Sequence, residues 1–147
     1  MPRLARAVLF SSPEECEQAF YEALDGADIE ALGDLLLQDD DVACIHPGSA
    51  RILGYPAVRA SWAAMLAAGP IRIRVLARRS FESPTLAVST LIEELVILQG
   101  GARQVVHVLA SNAYVKTPGG WKMVLHHGAP APQGHMPDVE APLATVH

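Results

Sequence analysis

The sequence of 147 residues lacks the features that mark membrane, secreted and nucleic-acid-binding proteins. No apolar run approaches the roughly 20 residues that a membrane-spanning helix needs. Only residues 7–10 are apolar after the basic start, too few for a signal peptide. The formal charge is −5, which argues against a general affinity for nucleic acid or anionic lipid. We therefore expect a soluble domain whose partners include neither a membrane nor a nucleic acid.

Signatures of metal and cofactor chemistry are scarce as well. The sequence has no Gly-rich phosphate loop, no paired-cysteine motif and no Gly-x-Ser-x-Gly elbow. Among its histidines only His126 and His127 are adjacent, and alternation along a strand would keep both from one ion. We expect no metal and no cofactor. Cys16 and Cys44 lie in apolar patterns and are interpreted as small buried side chains of a cytoplasmic protein, with a single disulfide as the alternative.

The composition that is present predicts one folded domain. Half of the residues are hydrophobic and 18% are charged, a balance that excludes a disordered chain. Residues 14–41 hold 11 of the 16 acidic side chains and no Lys or Arg, whereas residues 42–81 hold six arginines and no acid. We expect an acidic helical surface and an arginine-bearing sheet region, both as solvated faces.

Three helices are predicted in the first half of the chain. Ser12 and Pro13 suit the start of the first helix, whose apolar residues recur at helical spacing, and Asp28 suits the cap of the second. Pro56 opens the third helix and Gly69 stops it. Beyond this point the apolar period changes to two, which indicates strands. Four strands are predicted in this part of the chain, over about residues 71–76, 86–98, 104–116 and 121–127. Two short strands precede the third helix, over about residues 42–46 and 51–53.

This order of elements predicts an α+β domain, with three N-terminal helices packed on one face of a curved, mostly antiparallel sheet. The strand over 86–98 is apolar on both faces, so the other sheet face also needs a cover, and a homodimer through that face is the simplest one. Prolines without periodicity predict an extended tail. We assign residues 1–11 to an N-terminal extension, 12–129 to the domain and 130–147 to the Pro-rich tail.

The order and spacing of several short motifs resemble the nuclear transport factor 2-like superfamily, and within it the SnoaL-like branch, over about residues 12–130. The resemblance implies a cone-shaped domain with a central pocket between sheet and helices, commonly dimeric through the sheet. It does not specify an activity, because this fold supports several enzyme classes and non-catalytic modules. The matching motifs are Cys44-Ile45-His46-Pro47-Gly48, Leu53-Gly54, Ala60-Ser61-Trp62, Ala110-Ser111-Asn112-Ala113-Tyr114 and Gly120-Trp121-Lys122-Met123-Val124-Leu125-His126-His127-Gly128-Ala129-Pro130.

Similarity to ketosteroid isomerase, a member of this superfamily, implies a changed site. The position of its general base is taken by His46, with a one-residue gap, and the positions of its two oxyanion donors are taken by Phe20 and Ala110. Neither Phe20 nor Ala110 has a proton to donate. The isomerase mechanism is therefore not preserved, but a titratable group remains in an apolar pocket.

His46 is the candidate catalytic residue, because an imidazole at a strand end can accept and return a proton near neutral pH. Ligand contact without chemistry and a structural hydrogen bond beside the Pro47 turn are its alternatives. Trp62 is a candidate pocket wall whose indole N–H could bind a ligand, and core packing is the alternative. Phe20 and Ala110 are included among the substrate contacts.

Strand alternation supplies the remaining candidates. Asn112 and Tyr114 share a face with Ala110 and should reach the pocket, although internal hydrogen bonding would equally explain a buried Asn. His127 shares the face of bulky residues of the last strand and is placed in the pocket, with His126 outside. Related kinase hub domains have a similar last strand without catalysis, which favours a structural role.

Glu93 and Glu94 should point to opposite faces, and the pattern does not decide which one faces the pocket. A carboxylate in an apolar pocket could act as acid or base, whereas pairing with a strand arginine is the commoner outcome. We therefore predict a domain that binds a small apolar or amphipathic molecule, with acid–base chemistry of an isomerase, dehydratase or cyclase type through His46. A non-catalytic, dimeric ligand-binding or assembly module is the alternative.

Overall fold

The structure is a computed structural model that describes residues 9–132 and 138–140. The predicted extension and tail lie largely outside these residues. Three helices precede a long-stranded meander, as the sequence predicts. The elements are α1 (Pro13–Asp25), α2 (Ile29–Leu35), β1 (Ala43–Ile45), β2 (Arg51–Leu53), α3 (Tyr55–Leu66), β3 (Ile73–Glu82), β4 (Leu86–Gln99), β5 (Ala102–Thr117) and β6 (Gly120–Pro130).

One six-stranded sheet runs in the order β2-β1-β6-β5-β4-β3. All neighbours are antiparallel except β1 and β6, which run parallel. The α+β class and the mostly antiparallel sheet are therefore confirmed. The parallel pairing places the end of β1 beside the second half of β6, since Cys44 is opposite His126 in the register. Two distant segments of the sequence thus meet at one place.

Local signals start the helices where the sequence predicts. The Ser12 hydroxyl accepts the N–H of Glu15 at 3.1 Å, and the Asp28 carboxylate accepts the N–H of Ala31 at 3.0 Å. The carboxylate of Glu15 caps Ser11 instead of closing a capping box with Ser12. No helix in the described part of the chain is long and apolar enough to cross a membrane.

Alternation gives the sheet an inner face, which packs against the helices, and an outer face. Between residues 87 and 93 of β4 and between residues 110 and 114 of β5, the inner side chains are buried and the outer ones are partly or fully exposed. Cys16 and Cys44 are buried and free, so the interpretation of small buried side chains is confirmed and the disulfide alternative is wrong. The buried inner residues include Ala87, Ser89, Leu91, Glu93, Ala110, Asn112, Tyr114, Met123 and His126.

Two bulges change the alternation that a regular strand would have. In β6 the register shifts so that Ala113 is opposite Leu125 but Tyr114 is opposite Met123, which leaves Val124 as the additional residue. Beyond this bulge the faces are exchanged. His126 is therefore buried and His127 is exposed, and the prediction that placed His127 in the pocket and His126 outside is wrong.

The second bulge lies in β3, which is longer than the sequence pattern indicates. The register shifts between Val75 and Ala77, so Leu76 is the additional residue. The alternation ends there, and the prediction accordingly ended the strand at residue 76, six residues before Glu82. After the bulge Arg78 is opposite the inner residue Leu91, so its side chain is directed to the inner face.

Candidate functional site

A hydrogen-bonded polar network lies inside the otherwise apolar core. Its centre is Glu17 of α1, which is 4% exposed. One carboxylate oxygen accepts the Nε–H of Arg78 at 2.5 Å, and the other accepts from the Tyr114 hydroxyl and from Asn112. The network thus pairs a buried charge with a guanidinium and neutral donors, which offsets the cost of removing the carboxylate from water.

Asn112 connects this carboxylate to His126. Its amide nitrogen donates to Glu17 at 3.4 Å and to the Tyr21 hydroxyl at 3.3 Å, which leaves the amide oxygen as an acceptor for His126 Nδ1 at 2.6 Å. His126 Nδ1 must therefore carry a proton. Burial lowers the pKa of His126 to about 3, so its ring is neutral near pH 7 and Nε2 keeps a free lone pair.

The third arm of the network ends at Glu93. The Tyr21 hydroxyl donates to Glu93 Oε2 at 2.6 Å, and Glu93 is 3% exposed. Burial raises the pKa of this carboxyl, whereas the Tyr21 hydrogen bond acts in the opposite direction. Burial beside this carboxyl also raises the pKa of Tyr21. Glu93 is thus the inner member of the Glu93 and Glu94 pair, and it has the shifted pKa expected of a candidate acid or base.

His46 lies just beyond the end of β1 and contacts α3. Its Nε2 is 2.7 Å from the Ser61 hydroxyl, and its ring packs edge-on against Trp62 with centroids 4.8 Å apart. Burial lowers the pKa of His46, which keeps the imidazole neutral near pH 7. The residue is 9% exposed and Ser61 is partly exposed, so this pair lies at the border between the core and the surface.

Aromatic side chains fill the space between His46 and the polar network. Phe20 contacts both Trp62 and His126, with ring centroids 5.6 and 5.1 Å apart. The ring centroids of Trp62 and His126 are 5.5 Å apart. Among the described residues, Trp62 Nε1 is the one buried side-chain nitrogen or oxygen without a hydrogen-bond partner. Such an atom is unusual in a packed core and requires an explanation.

The predicted site residues are therefore largely brought together, but as packed core. Phe20, Asn112 and Tyr114 are completely buried, and Trp62 and Ala110 are at most 3% exposed. Only His127 is separated from them, on the outer face. Four depressions can be described, and none of these four is lined by His46, Trp62 or Asn112.

One of these depressions lies where the polar network reaches the surface. It has a volume of about 270 Å³ between α1 and the middle of the sheet, and Glu17, Tyr21 and Arg78 line it. Tyr21 also lines a second, open groove of about 1020 Å³, which extends to Arg74 and Leu98. The network is thus accessible from its Glu17 end, opposite to the His46 end.

The outer face of the sheet has a separate polar cluster. Glu94 is 3.1 Å from His107 Nε2 and 3.9 Å from Arg74. His107 thus lies on the outer face, and the prediction that a strand arginine pairs with one of the two glutamates is confirmed. These side chains remain a quarter or more exposed, so their pairing contributes little to stability.

Sequence reasoning missed Glu17, Tyr21, Arg78 and Ser61. A signal existed for Glu17, which follows Cys16 and precedes Phe20 by three residues, on the buried stripe of α1. An acidic residue at helical spacing within an apolar stripe indicates a buried charge that needs a partner. Arg78 had no such signal, because the β3 bulge disrupts the alternation.

Metal-ligating residues do not form a cluster in the two described segments. No three His, Cys, Asp or Glu side chains of those segments are placed to hold one ion. His126 and His127 face opposite sides of β6, as strand alternation predicts. The donor set of the interior is instead suited to hydrogen bonding and proton transfer.

The fold and the interior together define a small α+β domain with three helices covering one face of an antiparallel sheet, a class that includes cystatin-like folds. Residues 14–132 match the model of the SnoaL-like domain, and the chain belongs to this family. Its structural neighbours lie in the nuclear transport factor 2-like superfamily and include ketosteroid isomerase-like proteins.

Several solved structures are similar over most of the chain. A protein of Thiobacillus denitrificans, provisionally described as a calcium/calmodulin-dependent protein kinase type II association domain, is 36% identical, with a TM-score of 0.76 over 85% of this chain and 99% of that one. A Streptomyces avermitilis protein, provisionally described as a dehydratase of the NTF2-like family, is 27% identical, with a TM-score of 0.72 over 79% of this chain and 91% of that one. Among curated proteins no relative matches.

A third similar structure supports the fold alone. It is a Parabacteroides distasonis protein provisionally described as a ketosteroid isomerase, 21% identical, with a TM-score of 0.67 over 82% of this chain and 89% of that one. The oxyanion-donor positions that this comparison would suggest are occupied here by Phe20 and Ala110. The similarity to this structure shows a shared fold and no more.

Proposed function

We propose that this domain binds a small, mostly apolar molecule in the interior of the cone and that His46 transfers a proton to or from it. The observation that carries the proposal is the position of His46. Its ring is kept neutral by burial, bonded to Ser61 at 2.7 Å and edge-on to Trp62, at the border of an aromatic interior. A neutral imidazole in such a place is a base near pH 7.

The second group for such chemistry is the Tyr21–Glu93 pair. A raised pKa keeps the Glu93 carboxyl protonated at higher pH than an exposed glutamate, and Tyr21 is held on it at 2.6 Å. An acid and a base whose pKa values are shifted in opposite directions are the pair needed for an isomerisation, dehydration or cyclisation. The provisional description of the Streptomyces relative as a dehydratase supports this reaction class.

A ligand in the interior requires side chains to move, because the interior residues are packed together. Trp62 can move without breaking a side-chain hydrogen bond, since its indole nitrogen has no partner among the described residues. A ligand with a hydrogen-bond acceptor would satisfy that N–H on binding. The proposed pocket therefore opens beside Trp62 and His46, next to the Pro47 turn.

The proposal is tested by an NMR titration of the histidine Cε1 signals with and without 8-anilinonaphthalene-1-sulfonate, an apolar reporter. We expect the probe to bind, the His46 signal to move and its pKa to change. His46→Gln should weaken binding, whereas His107→Gln on the outer face should not, since His107 bonds Glu94. A His46 titration that the bound probe leaves unchanged would refute His46 as a ligand contact.

A non-catalytic assembly module is the second candidate, and a specific observation favours it. The relative with 36% identity is described as an association domain, and the outer sheet face of this chain carries exposed apolar side chains. Leu109 is 37% exposed and Phe81 is 69% exposed on that face. A second copy of the chain covering this face would form a homodimer, as obligate interfaces are apolar.

Sedimentation velocity tests this second candidate. We expect the chain to sediment as a dimer and Leu109→Glu to convert it to a monomer, because the change places a charge in the centre of the outer face. The inner-face network is untouched by this substitution, so probe binding serves as the discriminating readout. Loss of dimer with retained probe binding separates assembly from ligand binding, and a monomeric parent chain contradicts the assembly module.

A further inference from the structure

A polar row crosses the outer face of the sheet. It consists of Arg79, Thr90, Ser111 and His127, and each is directly opposite the next in the register of β3, β4, β5 and β6. Residues directly opposite one another in antiparallel strands project to the same face. Four strands spaced about 4.8 Å apart make the row about 14 Å long.

Apolar residues flank the row on both sides. The register places Ala77, Ile92, Leu109 and Ala129 in the next row on one side and Phe81, Val88, Ala113 and Leu125 on the other. A depression of about 310 Å³ lies over the polar row and the first of these apolar rows. It is on the opposite side of the sheet from the polar network and from His46.

Three of the four side chains in the polar row have polar groups that are available to a ligand. Within residues 9–132 and 138–140, the side chains of Thr90, Ser111 and His127 form no hydrogen bond with one another or with a neighbour. The Arg79 guanidinium adds a positive charge and a planar set of N–H groups at one end of the row. Such a row is suited to a ligand rich in acceptors and negative charge, above all a carboxylate.

The chain itself supplies carboxylates at this place. Glu140 Oε1 is 3.4 Å from Arg79 Nη2, and Asp138 lines the depression. In an extended segment, residues two apart project to the same side about 7 Å apart, half the length of the row. The two acids of the segment 138–140 therefore fit two points along it.

We propose that the polar row is a carboxylate-binding site for the acidic segment Asp138–Glu140 of the same chain. The segment covers part of the face that a second copy would need, so its docking opposes face-to-face assembly. The docking of the segment does not depend on the function proposed above. Only its effect on assembly rests on the proposed dimer. Exposed ion pairs are individually weak, so the site depends on the row as a whole.

Paramagnetic relaxation in the full chain tests the docking. Val139 is 99% exposed, so a nitroxide on Val139→Cys should not disturb the fold, and the two native cysteines are buried. We expect the amide signals of Thr90, Ser111 and His127 to lose most of their intensity. The double change Asp138→Asn with Glu140→Gln in the labelled chain should restore them, and so should Arg79→Gln. Arg103→Gln, a matched change of an exposed outer-face arginine of β5, should not.

A mixed sample decides which chain supplies the segment. Isotope-labelled chain without nitroxide is combined with unlabelled chain that carries it, and we expect the row signals to keep their intensity. Broadening in the mixed sample would assign the segment to a second copy and overturn docking within one chain. If the amide signals of Thr90, Ser111 and His127 stay sharp in the chain that itself carries the nitroxide, the proposed site is wrong. Probe binding at His46 would be unaffected by that result.

Discussion

The two faces of β4 and β5 are built from alternate residues of the same strands, yet they treat polar groups in opposite ways. On the inner face Glu93 and Asn112 are buried and hydrogen-bonded into one network. On the outer face Glu94 pairs loosely with Arg74, and Ser111 has no partner among the described residues. Burial, and not the kind of residue, therefore decides whether a polar side chain needs a hydrogen-bond partner within the protein.

The physical reason is whether a polar group can bond water after it loses its partner in the protein. A buried donor or acceptor that loses its partner cannot turn to water, so its full desolvation cost remains. An exposed group exchanges one partner for water at little cost. Equivalent substitutions on the two faces should therefore have unequal effects on the free energy of unfolding.

The largest effect is expected for Glu17→Ala. The change leaves Arg78, Asn112 and Tyr114 without the carboxylate that they share. Removing one partner of a buried ion pair costs several kcal/mol, and we expect about 3 kcal/mol because Arg78 retains access to water. Urea unfolding gives the value, with the exposed Asp40→Asn as the control that should produce no measurable change. An equal loss in both variants would contradict the comparison.

Acid should destabilise the inner face through His126. The folded chain holds this ring neutral with a pKa of about 3, whereas the unfolded chain takes up the proton near about pH 6.5. The unfolded state thus binds more protons in this window, so the contribution is complete above about pH 6.5 and is lost as the pH falls. Between about pH 7 and about pH 5 we expect a loss of about 2 kcal/mol from this residue.

The raised pKa of Glu93 acts in the opposite direction, because it favours the folded state at low pH and that contribution disappears as the pH rises. The measurement is therefore the difference in urea stability between the parent and His126→Phe across this pH range. The two slopes should differ by the His126 contribution. Parallel slopes would mean that His126 is not held neutral.

Two neighbouring residues of β6 provide the most direct comparison of the faces. His126→Phe removes the donor to the Asn112 amide oxygen, and we expect a loss of about 1.5 kcal/mol near neutral pH for the unpaired buried acceptor. His127→Phe, one residue along, should have no measurable effect on unfolding because His127 is exposed. The reverse result would show that β6 lacks the bulge at Val124.

The smallest effect is expected on the outer face. Arg74→Gln removes an ion pair at 3.9 Å whose arginine side chain is 79% exposed, and the loss should remain below about 0.5 kcal/mol. Added salt should abolish even this difference, since exposed charges are screened. A loss comparable to that of Glu17→Ala would mean that the outer face is buried in solution.

The sequence predicted the elements well where local chemistry decides them. The caps at Ser12 and Asp28 start the helices as predicted, and the bounds predicted for β4 and β5 lie within a few residues of the observed strands. The common face of Ala110, Asn112 and Tyr114 is confirmed as well. These features depend on neighbours in the chain, which a single sequence displays.

The errors have one cause in common. The bulge at Val124 exchanged the faces of His126 and His127, and the bulge at Leu76 hid the second half of β3 with Arg78. A bulge depends on the partner strand, because one additional residue is recognised only against the register of its neighbour. Alternation read from one strand alone cannot detect it.

Periodicity and helix caps are local properties, so the class of fold, the helices and the polar residues that need an explanation could be predicted from the sequence alone. That Asn112 bonds both Glu17 and His126 depends on the tertiary structure, since the three residues lie on different elements and meet through the antiparallel pairing of β5 with β6 and the helix α1 packed on that face. The tertiary structure also packs most of the predicted pocket residues as a core and leaves Thr90, Ser111 and His127 of the outer polar row without a hydrogen-bond partner among the described residues. Both follow from strand register, which assigns each alternate residue to water or to the interior.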